Sequence, residues 1–312
     1  MNLERGLVSI GLPAFKSAYF EKALHSLLNQ TYPNFEIIVV NDASPDDFDS
    51  IMEKYAGDAR IQYYKNAVNL GAASLVGNWN KCLDFAKGEF FVLASDDDLY
   101  HENFLSEMLH LATKYPKVNL FHARVALIDK NDQIVDLSPL CPEYERSFDF
   151  VWHRIKNYRV QYAPDFMCRT EALRLIGGFV DFPSAWCSDD ATWFELSKEG
   201  GVAYSSDLLF YFRHSGINIS SGGYVENKLK ANELYQKWLF GFFSAVPNPI
   251  IPQSLIFQQI KKYIDQRNRL LLTSEPFWKL ITRMLFSHHK FISLSTLIQA
   301  FGIKLFSKLN NS

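Results

Sequence analysis

Three consecutive carboxylates are the side chains of this sequence best suited to chemistry. Asp96, Asp97 and Asp98 directly follow the apolar run at 90–94, whose length and aromatic content predict a buried strand. Adjacent carboxylates repel one another unless a cation or a set of donors lies among them. Mg²⁺ takes one or two carboxylates and leaves coordination positions for substrate phosphates. This acidic triplet therefore predicts a divalent-metal site, unless it is only the acidic N-terminus of a helix at 99–115.

Two further acidic positions lie at the ends of predicted elements. Asp42 follows a β-branched strand at 37–40, and Asp189 with Asp190 opens a predicted helix. Ligands of open α/β folds bind at the carboxyl edge of the sheet, so folding could bring all these acids together there. One acid would then bind a nucleoside, the triplet a metal between two phosphates, and the last pair would contain a general base. Helix capping is the alternative, and it is strongest for Asp189.

Aromatic and basic side chains near these acids have two open interpretations. His214 follows a predicted strand beside Arg213. One interpretation is that it contacts a metal or phosphate, and the other is that it is an ordinary surface or core histidine. Trp186 and Trp193 flank the 189–190 pair, and each is a platform for a sugar ring or a core side chain.

The order of predicted elements indicates an α/β fold. Strands at 8–12, 37–40, 61–64 and 90–94 alternate with helices, which is typical of a largely parallel sheet. Later elements are a strand at 120–128 with a hairpin return at 134–135, a loop-rich stretch at 137–168, a short helix at 169–176, a helix at 191–198, strands near 202–205 and 208–212, and three or four helices over 226–312.

Charge is divided unevenly along the chain, whose net charge is −2. From residue 251 onward nine Lys and Arg oppose Asp265 and Glu275, which gives this tail +7 and leaves −9 for the rest. The segment at 277–286 mixes basic and large apolar residues at helical spacing. It predicts docking on an anionic membrane face, or else a helical extension packed on the domain or on a dimer partner.

The sequence lacks the motifs of dinucleotide-binding dehydrogenases and of P-loop NTPases, which argues against both classes. There is no Gly-x-Gly-x-x-Gly after the first strand, no Gly-Lys-Ser/Thr loop and no Gly-x-Ser-x-Gly elbow. The four cysteines are far apart without zinc or disulfide spacing. No apolar run approaches the ~18 residues of a spanning helix, and no signal peptide is recognisable. We expect a cytoplasmic protein without a nucleic-acid partner.

As an ordered set, the motifs resemble those of the family 2 inverting glycosyltransferases of the GT-A fold. The matching residues are Val8-Ser9-Ile10, Pro13-Ala14-Phe15, residues 30–44, Asn69-Leu70-Gly71, Asn80, residues 86–89, Ser95 with the triplet, Gly177-Gly178-Phe179, Asp189-Asp190, Arg213-His214 and Asn218-Ile219-Ser220. The resemblance implies a nucleotide-diphospho-sugar transferase fold over residues 1–225, with a mixed, mostly parallel sheet flanked by helices. A helical C-terminal extension follows at 226–312.

The resemblance also implies a role for each site residue. Pro13, Phe15, Asp42 and Asn69 would bind the nucleobase, Asp96 the ribose, and Asp97, Asp98 and His214 an Mn²⁺ or Mg²⁺ ion on the diphosphate. Asp190 would be the general base, with Asp189, Trp186 and Arg213 near the acceptor. The chain departs from the usual family pattern at Asn41, Ser95 and Trp79, which stand where acids and an arginine are common.

The function implied by the resemblance is metal-dependent, inverting transfer of a sugar from a nucleotide-sugar donor, with a UDP-sugar favoured. The acceptor would be a hydroxyl of a saccharide or lipid-linked saccharide, in surface polysaccharide biosynthesis. Peripheral contact with the inner face of the plasma membrane and a homodimer are expected for the tail. Two alternatives stay open: a non-catalytic carbohydrate-binding or partner subunit, and a sugar-phosphate nucleotidyltransferase. The latter needs a Gly-rich basic phosphate loop, which residues 11–18 do not supply.

Overall fold

The computed structural model describes residues 3–214, 216, 224–285 and 292–309, without the side chains of 72, 73, 284, 285 and 307–309. These residues form two compact units. The first contains the described parts of Met1–Asp181 and Ser188–Asn218, and the second those of Phe182–Cys187 and Ile219–Ser312. Phe182–Cys187 thus belongs with the C-terminal helices. The division of roles between residues 1–225 and 226–312 stays a prediction.

The first unit alternates strands and helices from its N-terminal end. Its elements are β1 (Glu4–Ala14), α1 (Phe20–Leu28), β2 (Phe35–Asn41), α2 (Phe48–Glu53), β3 (Ile61–Lys65), α3 (Gly71–Phe85), β4 (Gly88–Leu93), β5 (Leu99–Tyr100), α4 (Phe104–Lys114), β6 (Leu120–Ile128), β7 (Ile134–Leu137), β8 (Tyr144–Glu145), α5 (Ser147–Ile155), β9 (Phe166–Arg169), α6 (Thr170–Leu175), α7 (Ser188–Ser197) and β10 (Val202–Arg213).

One mixed sheet organises this unit, with the strand order β3-β2-β1-β4-β9-β6-β10-β5. Its first four strands are parallel, as are β6 and β10, whereas β9 is antiparallel to both β4 and β6. Every residue of β2 is buried, which matches its β-branched sequence because parallel strands are covered on both faces. The mixed α/β architecture expected from the sequence is therefore confirmed.

Several predicted elements are correct and others are wrong. The strand at 120–128 and its hairpin return are confirmed as β6 and β7. The predicted helix at 99–115 is wrong in its first turn, because Leu99–Tyr100 pairs with β10 instead. The loop-rich stretch at 137–168 contains α5, β8 and most of β9. The two strands expected near 202–212 are one strand, β10, whose pairing with β6 shifts register around Leu208.

The core of the first unit lies between the sheet and its helices. Buried side chains of the strands and of the helices form it. Phe20 of α1 meets Phe48 of α2 edge to face, with the ring centroids 4.8 Å apart. Such aromatic pairs bury large apolar areas, and this one joins the first turns of α1 and α2. The loops that leave β1 and β2 therefore lead to helices that pack against each other.

The second unit is helical in its described residues. It contains a short 3-10 turn (Pro183–Ala185), α8 (Val225–Ala245), α9 (Gln253–Ser274), α10 (Phe277–Leu285) and α11 (Leu294–Leu309). Its own apolar core consists of Leu229, Leu271, Leu272, Leu280, Ile292, Leu297 and Ala300. Within the described ranges, none of the helices combines the length and apolar character needed to cross a bilayer.

Candidate active site

Three segments of the predicted site follow neighbouring strands at one edge of the sheet. β1 lies between β2 and β4, Ala14 is paired with Asn41, and the Ala94 N–H bonds the Gly11 carbonyl at 2.8 Å. The chain therefore leaves β1, β2 and β4 on the same side, where Phe15, Asp42 and the acidic triplet follow. Of the acids expected to gather at this edge, the structure places Asp42 and the triplet there, and the turn at Phe15 lies with them.

Asp96 ties the triplet to the turn after β1. Its Oδ2 accepts hydrogen bonds from the main-chain N–H groups of Phe15 and Lys16, each at 2.8 Å. Ser44, two residues after Asp42, donates its hydroxyl to the Phe15 carbonyl at 2.6 Å. Burial raises the pKa of Asp96, and the two main-chain donors act against that rise. The turn predicted to bind a nucleobase is thus held by side chains from both neighbouring strands.

Asp98 ties the triplet to the end of β10. Its Oδ1 accepts the main-chain N–H of Arg213 at 2.7 Å, and Ser95 donates its hydroxyl to Oδ2. The Arg213 guanidinium is fully buried, donates from Nε to the Asp97 carbonyl at 2.7 Å, and lies over the Tyr19 ring at 4.3 Å. Burial and repulsion by Asp97 raise the pKa of Asp98 well above its ordinary value. Arg213 therefore positions the triplet, and its expected place near the acceptor stays a prediction.

Asp97 is the member of the triplet whose ionisation is most informative. Its side chain is largely buried, and burial followed by repulsion from Asp96 raises its pKa to about 6. Lys16 and Arg213 partly offset this rise. A carboxylate that carries its charge at such a cost gains most from a bound cation.

The helix-cap interpretation of the triplet is excluded. α4 begins only at Phe104, and its N-cap residue is Asn103. The Leu99–Tyr100 strand separates the triplet from that helix. The favourable interaction of acids with a helix N-terminus decays within the first turn, so it does not account for residues 96–98.

Asp42 is buried and holds the segment that follows β3. Its Oδ1 accepts from Asn66 Nδ2 and the Leu70 N–H, both at 2.8 Å, and its Oδ2 accepts the Gly71 N–H at 2.7 Å. Asp42 therefore fixes the residues around Asn69, which the sequence placed in the same nucleobase site. Asn66 itself was missed, because a lone asparagine in a loop gives no signal in a single sequence.

His214 and its following loop are only partly described. The His214 main-chain N–H bonds the Ile128 carbonyl at 2.8 Å, and its side chain is exposed. Over the described residues, no group of three or more His, Cys, Asp or Glu side chains is arranged to enclose a metal ion. The predicted contact of His214 with a metal stays a prediction. The motif Asn218-Ile219-Ser220 lies outside the described residues.

Asp190 is positioned by a different part of the first unit. It lies with Asp189 in the first turn of α7 and is 2% exposed. Its Oδ1 accepts from Arg154 Nε at 3.2 Å and from Gln161 Nε2 at 2.9 Å. Both donors come from the stretch at 137–168 that the sequence indicated only as loop. The sequence therefore located the acid but gave no sign of the residues that hold it.

The two tryptophans have different surroundings. Trp193 is 1% exposed and packs on Phe166 and Phe179, so its core interpretation is correct. Trp186 belongs to the second unit, where its indole N–H bonds Asn232 Oδ1 at 3.0 Å. Lys228 and Arg267 lie over the Trp186 ring, 4.6 and 5.1 Å from its centroid. Contact of Trp186 with an acceptor sugar stays a prediction.

The chemistry of the triplet fits a hard divalent cation. Mg²⁺ and Mn²⁺ prefer oxygen ligands, and Mg²⁺ commonly uses one or two carboxylates together with substrate phosphates. The carboxylates of Asp97 and Asp98 are buried and have raised pKa values, and Asp97 repels Asp98. Such a pair suits a cation whose coordination is completed by a phosphorylated ligand.

Comparison with known proteins agrees with this geometry. The model of the family described as Glycosyl transferase family 2 matches residues 9–174, which include part of β1, all of β2–β4, the acidic triplet and the stretch holding Arg154 and Gln161. The chain belongs to glycosyl transferase family 2. The match ends before α7, so Asp190 lies beyond it.

Individual relatives extend the comparison. An uncharacterized glycosyltransferase, RT0329 of Rickettsia typhi, is 40% identical over 109 residues, which are 35% of this chain and 32% of that protein. This chain therefore spans about a third of that relative. WfgD of Escherichia coli, named a UDP-Glc:alpha-D-GlcNAc-diphosphoundecaprenol beta-1,3-glucosyltransferase, is 25% identical over 247 residues, covering 78% of this chain and 88% of WfgD.

A solved structure confirms the fold expected for the family. S. aureus TarS 1–349 in complex with UDP-GlcNAc superposes with a TM-score of 0.63 at 16% identity, covering 97% of this chain and 92% of that TarS 1–349 chain. At this identity the likeness establishes the GT-A-like fold alone. The family model and this fold together confirm the resemblance drawn from the ordered motifs.

Proposed function

We propose that this family 2 protein is a metal-dependent, inverting glycosyltransferase that moves a sugar from a nucleotide-sugar donor to a hydroxyl acceptor. The observation that carries the proposal is Asp97, a buried carboxylate beside two others at the carboxyl edge of the sheet. Ligands of open α/β sheets bind at that edge. A nucleoside diphosphate held there through a cation would offset the repulsion within the triplet.

The donor side of the proposed site uses the turn after β1 and the segment after β3. The turn at Pro13 and Phe15, fixed by Asp96, and the segment around Asn69, fixed by Asp42, would form the walls for the nucleobase and ribose. Asp97 and Asp98, with His214 nearby, would hold Mn²⁺ or Mg²⁺. A bound ion would supply Lewis-acid stabilisation of the charge on the departing nucleoside diphosphate.

The acceptor side of the proposed site uses Asp190. Inversion needs one base on the face opposite the leaving group, and that base must reach the hydroxyl within hydrogen-bond distance. Arg154 holds the Asp190 carboxylate by a charge-assisted hydrogen bond, so the acid is presented to its surroundings in one orientation. We assign Asp190 to deprotonate the acceptor hydroxyl. Asp189 and Trp186 remain candidates for acceptor contact.

The substrate class follows from chemistry and relatives together. TarS was solved with UDP-GlcNAc, and the name of WfgD gives a UDP-sugar donor and a lipid-diphosphate-linked acceptor. For this chain we propose a UDP-sugar donor and a saccharide or lipid-linked saccharide acceptor in surface polysaccharide biosynthesis. A non-catalytic subunit of the same fold is the alternative. It predicts that replacing Asp190 changes no measurable turnover.

The experiment that tests this proposal is release of nucleoside diphosphate from a panel of nucleotide sugars. Purified wild type, Asp97→Asn and Asp190→Asn would be assayed with Mn²⁺, Mg²⁺ or EDTA, with and without lipid-linked saccharide acceptors. We expect metal-dependent release that Asp97→Asn abolishes and Asp190→Asn lowers by about 100-fold or more. Equal turnover by wild type and Asp190→Asn would exclude Asp190 as the base. No turnover of any donor, together with no nucleotide binding, would favour the non-catalytic alternative.

A membrane surface is the partner that we propose for the second unit. Large apolar side chains are exposed there, including Trp278 at 62%, Leu294 at 56% and Phe306 at 67%. Lys279 is exposed beside Trp278 on the same helix, and the tail from residue 251 carries +7. Exposed aromatic and aliphatic groups among basic residues suit an anionic bilayer face. We therefore propose peripheral attachment at the inner face of the plasma membrane, where lipid-linked acceptors would lie.

Vesicle sedimentation tests this attachment. Wild type should pellet with phosphatidylcholine vesicles that contain phosphatidylglycerol and not with phosphatidylcholine alone, and Trp278→Ser combined with Phe306→Ser should abolish pelleting. Leu175→Ser is the matched control, because Leu175 is 80% exposed on α6 of the first unit. If wild type instead formed a homodimer that the two serine changes dissociate, and did not bind vesicles, this surface would be assigned to contact with a second copy of the chain.

A further inference from the structure

Gln161 is a buried side chain whose two polar atoms differ, because one bonds Asp190 and the other is left without a donor. It is 5% exposed, and its Nε2 donates to Asp190 Oδ1 at 2.9 Å. Its amide oxygen, Oε1, is enclosed and has no hydrogen-bond partner within the part of the chain described. A buried amide oxygen without a donor costs stability, which offsets part of what the hydrogen bond to Asp190 contributes to the fold.

The orientation of the Gln161 amide is set by Asp190. A flipped amide would place Oε1 against the carboxylate, where two acceptors repel, so the N–H side must face Asp190. Keeping that contact leaves Oε1 enclosed without a donor. Asp190 therefore fixes which way the amide points, and the cost is an enclosed oxygen without a donor. Local rules of this kind are most often broken at functional positions.

Gln161 and Arg154 act on the same oxygen of Asp190 from different directions. Arg154 extends from α5 and donates through Nε at 3.2 Å, and its Nη1 also bonds the Arg159 carbonyl at 3.2 Å. Arg159 is in turn fixed by two hydrogen bonds to the buried Glu145, at 2.9 and 2.6 Å. Arg154 thus belongs to a braced network. Gln161 supplies the second, uncharged donor that fixes the plane of the carboxylate.

We propose that Gln161 is a positioning residue for the general base, acting through its N–H on Asp190. This inference rests on the proposed function, because Asp190 is assigned as the base there. A carboxylate held by directed donors has a fixed orientation, and therefore a fixed direction for proton acceptance. Misplacement of a reacting group by about 1 Å can cost roughly 100-fold in rate. Loss of the Gln161 donor should therefore lower turnover without changing the binding of the donor substrate.

The test is Gln161→Met, which keeps the side-chain length and removes both polar atoms. The enclosed oxygen disappears, which favours the fold, and the buried Asp190 carboxylate loses a donor, which opposes it, so we expect the variant to unfold close to the temperature of wild type. Its kcat should fall by about 10- to 100-fold, while the Kd for UDP with Mn²⁺ stays within about twofold of wild type. A lower unfolding temperature combined with unchanged kcat would show that Gln161 serves the fold and would overturn the inference.

Gln30→Met is the matched control. Gln30 is also buried, at 7% exposure, but all its polar atoms are bonded: Nε2 to the Ser26 and His101 carbonyls, and Oε1 to the Leu105 N–H. This variant should lose stability and keep the kcat of wild type. If Gln161→Met fails to fold, Gln161→Leu gives the same kinetic test, because a leucine side chain has no group that can donate to Asp190.

The stability comparison separates this inference from the proposed function. It compares the unfolding temperatures of the Gln161 and Gln30 variants and needs no turnover. Failure of wild type to turn over any donor would count against the proposed function. Normal kcat in Gln161→Met, beside an inactive Asp190→Asn, would overturn only the positioning role.

Discussion

The main-chain N–H of Arg213 donates a hydrogen bond of 2.7 Å to Oδ1 of Asp98, 115 residues earlier in the chain. The same arginine donates from its side chain to the Asp97 carbonyl, also at 2.7 Å. Pairing of Leu99–Tyr100 with β10 brings the two segments together, since Phe210 is opposite Tyr100. The acidic triplet therefore depends on β10 for its conformation, although it follows β4 in the chain.

Arg213→Met tests this dependence. The fully buried guanidinium would be lost, and the carbonyls of Asp97 and Asp129 would each lose a donor. We expect the free energy of unfolding to fall by about 3–5 kcal/mol, because one partner of a buried network is removed. Urea denaturation of wild type and variant gives this difference.

Arg146→Met is the control for that experiment. Arg146 has a side chain that is 75% exposed and pairs with Asp149 at 3.0 Å. An exposed ion pair contributes at most about 1 kcal/mol. Similar losses for the two variants would mean that the buried contacts of Arg213 do not stabilise the fold.

Asp97→Asn should stabilise the metal-free protein at neutral pH. Burial and Asp96 raise the pKa of Asp97 to about 6 from 3.8, so the folded state holds this proton more tightly than the unfolded state. The free energy of unfolding therefore falls as pH rises from about 4 to 6, and it stays reduced above that range. Asparagine cannot ionise, so at pH 7.5 with EDTA the variant should be more stable by about 1–3 kcal/mol.

The pH dependence is the check on this cause. At pH 3, below both the folded and the unfolded pKa, Asp97 is largely uncharged in both states, so the two proteins should have similar unfolding temperatures. An equal difference at pH 3 and pH 7.5 would show that ionisation of Asp97 is not responsible.

The sequence predicted the parts of the site that follow regular strands. The acids at 42 and 96–98 come directly after β2 and β4, and parallel strands place their carboxyl ends at one edge regardless of loop detail. The fold class followed from the same alternation of strands and helices. Both predictions depend on hydrophobic periodicity, which a single sequence contains.

Contacts between distant, irregular segments could not be predicted in this way. Phe166–Arg169 becomes a strand only because β4 and β6 flank it, and a four-residue run has no periodicity to detect. The irregular segment before that strand supplies Gln161. Likewise, a single arginine at 213 does not indicate whether it faces an acceptor or the backbone of the triplet. Tertiary pairing decides these cases.

Asp42→Asn should loosen the segment after β3. Three donors converge on the Asp42 carboxylate, and an amide would turn an N–H toward at least one of them. We expect a loss of about 1–3 kcal/mol in the free energy of unfolding. Faster hydrogen exchange at the Leu70 and Gly71 amides, measured by mass spectrometry, would locate the change. Unchanged exchange there would contradict the anchoring role of Asp42.

Gly88→Ala tests the close packing of β4 on β1. An added Cβ would lie 2.5 Å from the Leu7 carbonyl oxygen and 2.8 Å from the Ser9 nitrogen, both main-chain atoms. Relief requires the strands to separate, at a cost of about 1–3 kcal/mol or more. Gly57→Ala is the control, because nothing lies within 4 Å of its added Cβ. Equal unfolding temperatures for the two variants would contradict this packing.

Binding of UDP measured by titration calorimetry, with and without Mn²⁺, tests the central claim most directly. The comparison would include Asp97→Asn and, as a control, Asp207→Asn, which changes an exposed aspartate of β10. We predict that wild type and Asp207→Asn bind UDP much more tightly with Mn²⁺ than without it, and that Asp97→Asn loses this gain. Metal-enhanced binding that Asp97→Asn retains, or no binding of UDP or any other nucleoside diphosphate to wild type, would contradict a metal–diphosphate site at the acidic triplet.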